Sequence, residues 1–129
     1  MKYLLDTNIC IYIIKQRPAT VQTRFSSLHV GDVGISTITL SELQYGAEKS
    51  SFPDRNKQTL AQFLLLLEIL DYSQDAAREY GKIRAYLEKR GQLIGSLDLL
   101  IAAHVKAANL ILVTNNIKEF SRVTELLIE

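Results

Sequence analysis

The sequence predicts an α/β fold in which helices cover both faces of a central, mostly parallel, twisted sheet. Short apolar runs with strand character alternate along the chain with longer amphipathic stretches, and this alternation is typical of parallel sheets. A length of 129 residues and a hydrophobic content of 47% suit one domain with one core. We therefore expect a single domain over residues 1–129.

The first half of the chain is predicted to contain two strands and four helices. Asp6 follows the first apolar run and is placed to cap the helix after it. Pro18 starts the second helix, Gly31 precedes the second strand, and Pro53 with Asp54 as its expected cap opens the fourth helix. In chain order the predicted elements are a strand at 2–5, helices at 7–14 and 19–28, a strand at 33–36, and helices at 39–49 and 54–67.

The second half is predicted to add two strands, three helices and a short edge strand. Gly91 ends a long amphipathic helix, Ser96 opens a very apolar one, and Asn109 ends it. Asn115 and Asn116 turn the chain into a short helix. In chain order the predicted elements are a strand at 68–72, helices at 73–90 and 97–108, a strand at 110–114, a helix at 116–120 and an edge strand at 125–128.

Composition restricts where the protein works and what it binds. The longest apolar stretch, residues 63–67, is far too short to span a bilayer, and no signal-peptide pattern is present. Cys10 is the single cysteine, so no internal disulfide can form and a reducing bacterial cytoplasm is expected, with no membrane partner. A net charge of +1 means that a nucleic acid would have to be met by a local patch.

Three acids and one amide fall where strands end or helices begin: Asp6, Glu42, Asp98 and Asn116. Each has an ordinary structural explanation, because Asp6 can cap a helix, Glu42 can close a capping box from Thr39, Asp98 gains from a helix dipole, and Asn116 suits a turn. None of these explanations accounts for the convergence of all four on one edge of the sheet, where α/β proteins bind ligands.

Such a cluster predicts a particular metal chemistry. Carboxylates held close together raise one another's pKa unless a cation is present. Oxygen ligands without histidine or cysteine select hard ions such as Mg²⁺ or Mn²⁺, which polarise phosphoryl groups and generate hydroxide from water. His29 and His104 show no metal-ligand spacing, and Cys10 is expected in the core.

Four groups of short motifs occur in order along nearly the whole chain. They are residues 4–8 (LLDTN), 36–43 (STITLSEL) with 45–46 (YG), 94–95 (IG) with 98–104 (DLLIAAH), and 113–116 (VTNN) with 119–120 (EF). No single motif is specific, but the ordered set is. Through it the sequence resembles the PIN-domain ribonucleases, and within them the VapC toxins of bacterial toxin–antitoxin pairs.

The resemblance implies a PIN-like three-layer α/β/α fold and a Mg²⁺-dependent endoribonuclease, in which Mn²⁺ can substitute. Such an enzyme hydrolyses RNA phosphodiester bonds, often of tRNA, by metal-activated water. Asn116 falls where many members carry a fourth acid, so it is a candidate ligand with one neutral oxygen. The catalytic and metal-binding positions that match are Asp6, Glu42 and Asp98. The positions expected beside them are Thr7, Asn8, Thr114 and Asn116.

Partners are expected on two surfaces. The apolar residues at 9–14 and 63–67 exceed what a small domain can bury on one face of each helix, and excess apolar surface marks partner sites. We expect a homodimer and an antitoxin segment along an apolar groove near the acids. The resemblance implies a VapB-type antitoxin, through which operator DNA is contacted only indirectly.

A basic helix face is a candidate for RNA contact. Arg78, Lys82 and Lys89 share roughly one face of the helix predicted at 73–90. An ordinary solvated face, interspersed with Glu79 and Glu88, explains the same pattern at least as well.

Two other functions stay open from the sequence. A phosphatase of the haloacid-dehalogenase type also places an aspartate after an apolar strand, but it needs a second aspartate two positions on, and Asn8 stands there. A PIN-fold RNA- or protein-binding module without catalysis is the other alternative, with Asn116 as the disabling change.

Overall fold

The chain folds as alternating strands and helices, and a computed structural model describes residues 1–29 and 31–129. The strands are β1 (Tyr3–Leu5), β2 (Val33–Ser36), β3 (Glu68–Leu70) and β4 (Ile111–Val113). The helices of the described residues are α1 (Thr7–Lys15), α2 (Ala19–Ser26), α3 (Thr37–Glu48), α4 (Pro53–Leu64), α5 (Gln74–Lys89), α6 (Ser96–Ala108) and α7 (Ile117–Phe120).

The sheet is parallel throughout, with strand order β3-β2-β1-β4. Tyr3 on β1 pairs with Val33 on β2 and with Ile111 on β4, so the three inner strands run in register. Their carboxyl ends therefore meet at one edge. This confirms the predicted parallel sheet and brings the residues after β1, β2 and β4 together.

Successive residues of β1 point to opposite faces of the sheet, and each face carries its own core. Leu4 packs with α5 and α6 through Leu87 and Leu99, while Leu5 packs with α1 and α4 through Ile9 and Phe63. Cys10 belongs to the second cluster, as expected. The arrangement is a three-layer α/β/α fold, as the sequence predicted.

Several predicted boundaries were wrong. α4 ends at Leu64 rather than at residue 67, because the next three amides bond three residues back and turn the chain toward β3. Asp54 does not cap α4, since Phe52 precedes the helix and Pro53 begins it. β3 stops at Leu70, short of residue 72.

The C-terminal segment is less regular than the expected edge strand. Only a single parallel bridge, between Leu112 and Ile128, forms there among the described residues. Backbone bonds nevertheless hold the segment to β4, because the amides of Leu112 and Thr114 donate to Leu127 and Glu129. The tail therefore supports the strand that ends at Thr114.

Part of the predicted apolar excess lies in the core. Ile9, Ile13 and Phe63 are buried, whereas Leu65 is 82% exposed and Ile69 on the edge strand is also exposed. The surface available to a partner is thus narrower than the sequence suggested. Within residues 1–29 and 31–129, none of the helices has the length and hydropathy that a bilayer crossing requires.

His104 gives the core a pH-sensitive group. Its Nδ1 lies 2.7 Å from Ser36 Oγ, its ring meets Tyr72 edge-on at 5.6 Å, and burial lowers its pKa although Asp71 opposes the shift. Unfolded chains therefore bind the proton more readily, and stability is lost as pH falls below the ordinary pKa of about 6.5.

We expect the unfolding free energy of the wild type to fall between pH 7 and pH 5, relative to His104→Gln, by at most about 1.4 kcal/mol per pH unit. Urea unfolding at several pH values measures this. His29→Gln, which removes an exposed histidine, should keep the wild-type profile. Parallel curves for the wild type and His104→Gln would contradict the assignment.

Candidate active site

A cleft of about 630 Å³ opens at the edge where β1, β2 and β4 end. It lies between the start of α1, one face of α3 and the start of α6. Five residues that the sequence singled out line it: Asp6, Thr7, Asn8, Glu42 and Asp98. The convergence predicted for the three acids is therefore present in the fold.

Asp6 both caps α1 and faces the cleft. Its Oδ1 accepts from the Ile9 amide at 2.9 Å, and its Oδ2 accepts from the Thr114 hydroxyl. The Asp6 amide also donates to Val113 at 3.1 Å, which fixes the residue to β4. Burial raises the pKa of Asp6, the hydrogen bonds from Thr114 and Ile9 lower it, and the charge of Glu42 raises it. The capping and site interpretations are both correct.

Glu42 does not serve as a capping-box residue. α3 begins at Thr37, and Ser36 caps it by accepting from the Ile38 amide at 3.0 Å. Glu42 therefore lies inside the helix. Its Oε1 accepts from Thr7 Oγ1 at 2.9 Å, which links α3 to the start of α1. The structural explanation offered for Glu42 was wrong, and its position on the cleft is left to be explained by function.

Asp98 lies in the first turn of α6 and is half-buried. Asn116 donates from Nδ2 to Asp98 Oδ2 at 3.3 Å, and the Asn116 amide donates to Thr114 Oγ1 at 2.9 Å. Burial raises the pKa of Asp98 most, the charges of Glu119, Asp6 and Glu42 raise it further, and only the Asn116 bond lowers it.

Glu119 is a fourth acid that the sequence interpretation missed as a site residue. It lies in the first turn of α7, three positions after Asn116, and it is near enough to raise the pKa of Asp98. The signal was present in the motif at 119–120, but α7 is too short to reveal which way its residues face. Asn116 precedes this helix with an ordinary φ of −90°, so left-handed geometry does not explain it.

The donor set fits a hard divalent ion. Every candidate ligand offers oxygen, and burial together with mutual repulsion raises the pKa of both Asp6 and Asp98, as expected for carboxylates that lack a cation. Among the described residues, no group of three or more acidic, histidine or cysteine side chains is arranged so that it could hold a metal ion. Mg²⁺ commonly uses only one or two carboxylates together with water, so the arrangement suits it.

The basic residues predicted on α5 lie elsewhere. Arg78 pairs with Asp75, Lys82 lies 3.7 Å from Glu79, and Lys89 is exposed at the end of the helix. As far as the described part of the chain shows, the cleft lining includes none of the three. The lysine that does line the cleft is Lys49, which the sequence interpretation did not single out.

Known proteins share this sequence and fold. The family model of the PIN domain matches residues 3–126. Ribonuclease VapC2 of Haemophilus influenzae is 50% identical over 98% of this chain and 95% of its own. The tRNA(fMet)-specific endonuclease VapC of Shigella flexneri is 48% identical over 95% of this chain and 92% of its own.

A solved structure extends the likeness to three dimensions. A chain in the crystal structure of VapBC2 from Rickettsia felis, bound to a DNA fragment from their promoter, matches with a TM-score of 0.92 and 45% identity. The match covers 100% of this chain and 98% of that one. By sequence, fold and family model together, the chain belongs to the PIN domain family and, within it, to the VapC ribonucleases.

Proposed function

We propose that the protein is a Mg²⁺-dependent endoribonuclease that acts as the toxin of a type II toxin–antitoxin pair. The observation that carries the proposal is the cleft in which Asp6 and Asp98 are crowded, both with a raised pKa, and each bonded to a neutral side chain. Such a site binds a cation and then accepts a phosphodiester, whereas a structural acid is normally paired with a base.

Asp6 and Asp98 are the carboxylates placed to hold the ion, with Glu42 and Asn116 completing the set directly or through water. When bound, Mg²⁺ or Mn²⁺ supplies polarisation of the scissile phosphate and a lower pKa for attacking water. Thr114 orients Asp6 by donating to Oδ2, and Thr7 fixes Glu42 by donating to Oε1. These two threonines keep the acids from turning away from the cleft.

The proposed substrate is RNA, with tRNA as the favoured class, in the bacterial cytoplasm. The name of the Shigella flexneri relative, a tRNA(fMet)-specific endonuclease, supports this choice. The cleft is open rather than enclosed by the protein, which suits a polymer that must pass across it.

The proposed regulator is a VapB-type antitoxin. A groove of about 430 Å³ between α1, α3 and α4 adjoins the acids, because Glu42 lines both the groove and the cleft. Its walls include Ile11, Ile14, Leu43 and Leu60. An apolar antitoxin segment lying there could bring a basic side chain to Asp6 or Asp98. Operator DNA would be contacted through the antitoxin, in keeping with the promoter-bound VapBC2 complex from Rickettsia felis.

We also propose a homodimer, supported by the exposed apolar residues Leu65, Leu66 and Ile69 beside the edge strand. Sedimentation of the purified protein tests this proposal. A monomer at all concentrations would contradict it.

Brief expression followed by sequencing of RNA ends is the experiment that tests the function. We expect new ends at defined sites in one or a few RNAs, and purified protein should produce the same ends with Mg²⁺ but not with EDTA. RNA binding without cleavage would favour the binding module, and a trapped aspartyl-phosphate would favour the phosphatase.

Asn116→Asp should lower the Mg²⁺ concentration needed for half-maximal cleavage. The change adds a negative charge beside Asp98 and Glu119, and ligand sets with more charge hold divalent ions more tightly. Without metal the same charge should lower the melting temperature, because repulsion increases. Cleavage measured against Mg²⁺ concentration, and melting in EDTA, report the two effects.

Asn115→Asp is the matched control, because it adds the same charge one position away at an exposed residue that bonds to Tyr12 instead. It should leave the Mg²⁺ dependence unchanged. An unchanged Mg²⁺ requirement in Asn116→Asp would remove Asn116 from the ligand set.

A further inference from the structure

One face of α3 extends the cleft away from the acids. Glu42, Tyr45 and Lys49 are spaced by three and four positions, which places them on the same side of the helix, and all three line the cleft. With a rise of 1.5 Å per residue, Tyr45 lies roughly 4.5 Å and Lys49 roughly 10.5 Å beyond Glu42 along the helix axis. The row passes from the acids to an aromatic ring and then to a cation.

Tyr45 presents its ring to the cleft. The residue is 64% exposed, although large aromatic side chains usually bury most of their area. Lys49 Nζ lies 4.9 Å from the centroid of the ring, and no ion pair occupies Lys49 among the residues described. An exposed ring with an uncommitted cation beside it offers both a stacking surface and a phosphate contact.

Gly46 leaves open space next to the ring. A Cβ added there would meet nothing within 4 Å, so packing within the chain does not require a glycine. Glycine nevertheless weakens a helix relative to alanine. The missing side chain therefore keeps the surface beside Tyr45 low, where a ligand can approach the helix closely.

We propose that Tyr45 is the platform on which an unpaired nucleobase of the RNA stacks next to the cleaved bond, and that Lys49 contacts a flanking phosphate. The inference rests on the proposed endoribonuclease function. Unpaired bases stack on aromatic side chains whatever their identity, and lysines neutralise the adjoining backbone. Lys49 is the cation in a cleft otherwise dominated by acids, so it gives the RNA backbone a direction along α3.

The test measures binding of a short single-stranded oligoribonucleotide that carries 2-aminopurine at one position at a time. The Asp98→Asn background with Mg²⁺ prevents cleavage during the measurement. Tyr45→Ala should weaken binding about tenfold and abolish the quenching of one 2-aminopurine position, whereas Tyr45→Phe should retain both within about twofold. Lys49→Ala should lower the slope of log affinity against log salt by about one phosphate contact.

Phe52→Ala is the matched control. Phe52 is also 64% exposed and has Arg55 over its ring at 6.0 Å, but it does not line the cleft. It should bind the oligonucleotide as the unsubstituted background does. Equal loss in Phe52→Ala, or unchanged affinity and quenching in Tyr45→Ala, would overturn the proposal.

Cleavage by the otherwise wild-type protein separates this inference from the function on which it rests. If the wild type cleaves RNA with Mg²⁺ while Tyr45→Ala binds normally, the stacking platform is wrong and the ribonuclease stands. If the wild type neither binds nor cleaves RNA, both are wrong. Tyr45→Ala that loses only association with another protein would assign the ring to a protein interface and overturn the platform.

Discussion

Asp98→Asn is expected to reduce RNA cleavage on the order of a thousandfold while leaving the fold intact. The carboxylate at this position helps to hold the ion that stabilises charge at the phosphate, and several kcal/mol of that stabilisation would be lost. Because burial and three neighbouring acids raise the pKa of Asp98, removing its charge should relieve repulsion. The melting temperature without metal should therefore stay the same or rise.

This pair of results distinguishes a functional acid from a structural one, whose loss would lower stability. Cleavage of a labelled RNA and thermal melting in EDTA provide the two measurements. Asp54→Asn, which neutralises an exposed acid in the first turn of α4, is the control and should cleave normally. Full activity of purified Asp98→Asn would contradict its role.

Thr114→Val should impair both stability and cleavage. The buried hydroxyl donates to Asp6 Oδ2 and accepts from the Asn116 amide, so a methyl group in its place leaves two polar groups without a partner. The cost of such a loss is about 1–3 kcal/mol of unfolding free energy. Because the bond from Thr114 lowers the pKa of Asp6, its removal should raise that pKa further.

The cleavage profile of Thr114→Val should consequently shift to higher pH, since Asp6 must be ionised to hold a cation. Thr114→Ser keeps the hydroxyl and should stay close to the wild type in stability and in pH profile. If Thr114→Val unfolds and cleaves as Thr114→Ser does, the hydroxyl does not position Asp6.

The fold was predictable because its signals are local. Apolar runs of three to five residues mark each strand, and Asp6, Ser96 and Asn109 mark helix ends as expected. Failures occurred where tertiary contacts decide. Residues 65–67 continue the apolar pattern of α4, yet the chain turns there to reach β3.

The site was partly predictable for a topological reason. Parallel strands place everything that follows them at one edge, so Asp6, Asp98 and Asn116 could be brought together from sequence order alone. The function of Glu42 was harder to predict, because the true start of α3 at Thr37 decides whether position 42 can act as part of a cap.

Side-chain direction explains the rest. Glu119 is part of a short helix without a full turn of periodicity, and Tyr45 is an exposed aromatic residue that a sequence pattern cannot distinguish from a core residue. The basic face of α5 shows the opposite failure. Its periodicity is real, but α5 presents that face away from the cleft lining, and its role in RNA contact stays a prediction.

Binding of Mn²⁺, followed by electron paramagnetic resonance, tests most directly whether the cleft is a metal-dependent nuclease site. We expect the wild type to bind one ion well and to begin cleaving RNA over the same range of Mn²⁺ concentration. Asp98→Asn should lose both together, and Asp54→Asn neither. Equal Mn²⁺ binding by Asp98→Asn and the wild type, or full RNA cleavage by the wild type in EDTA, would contradict the account.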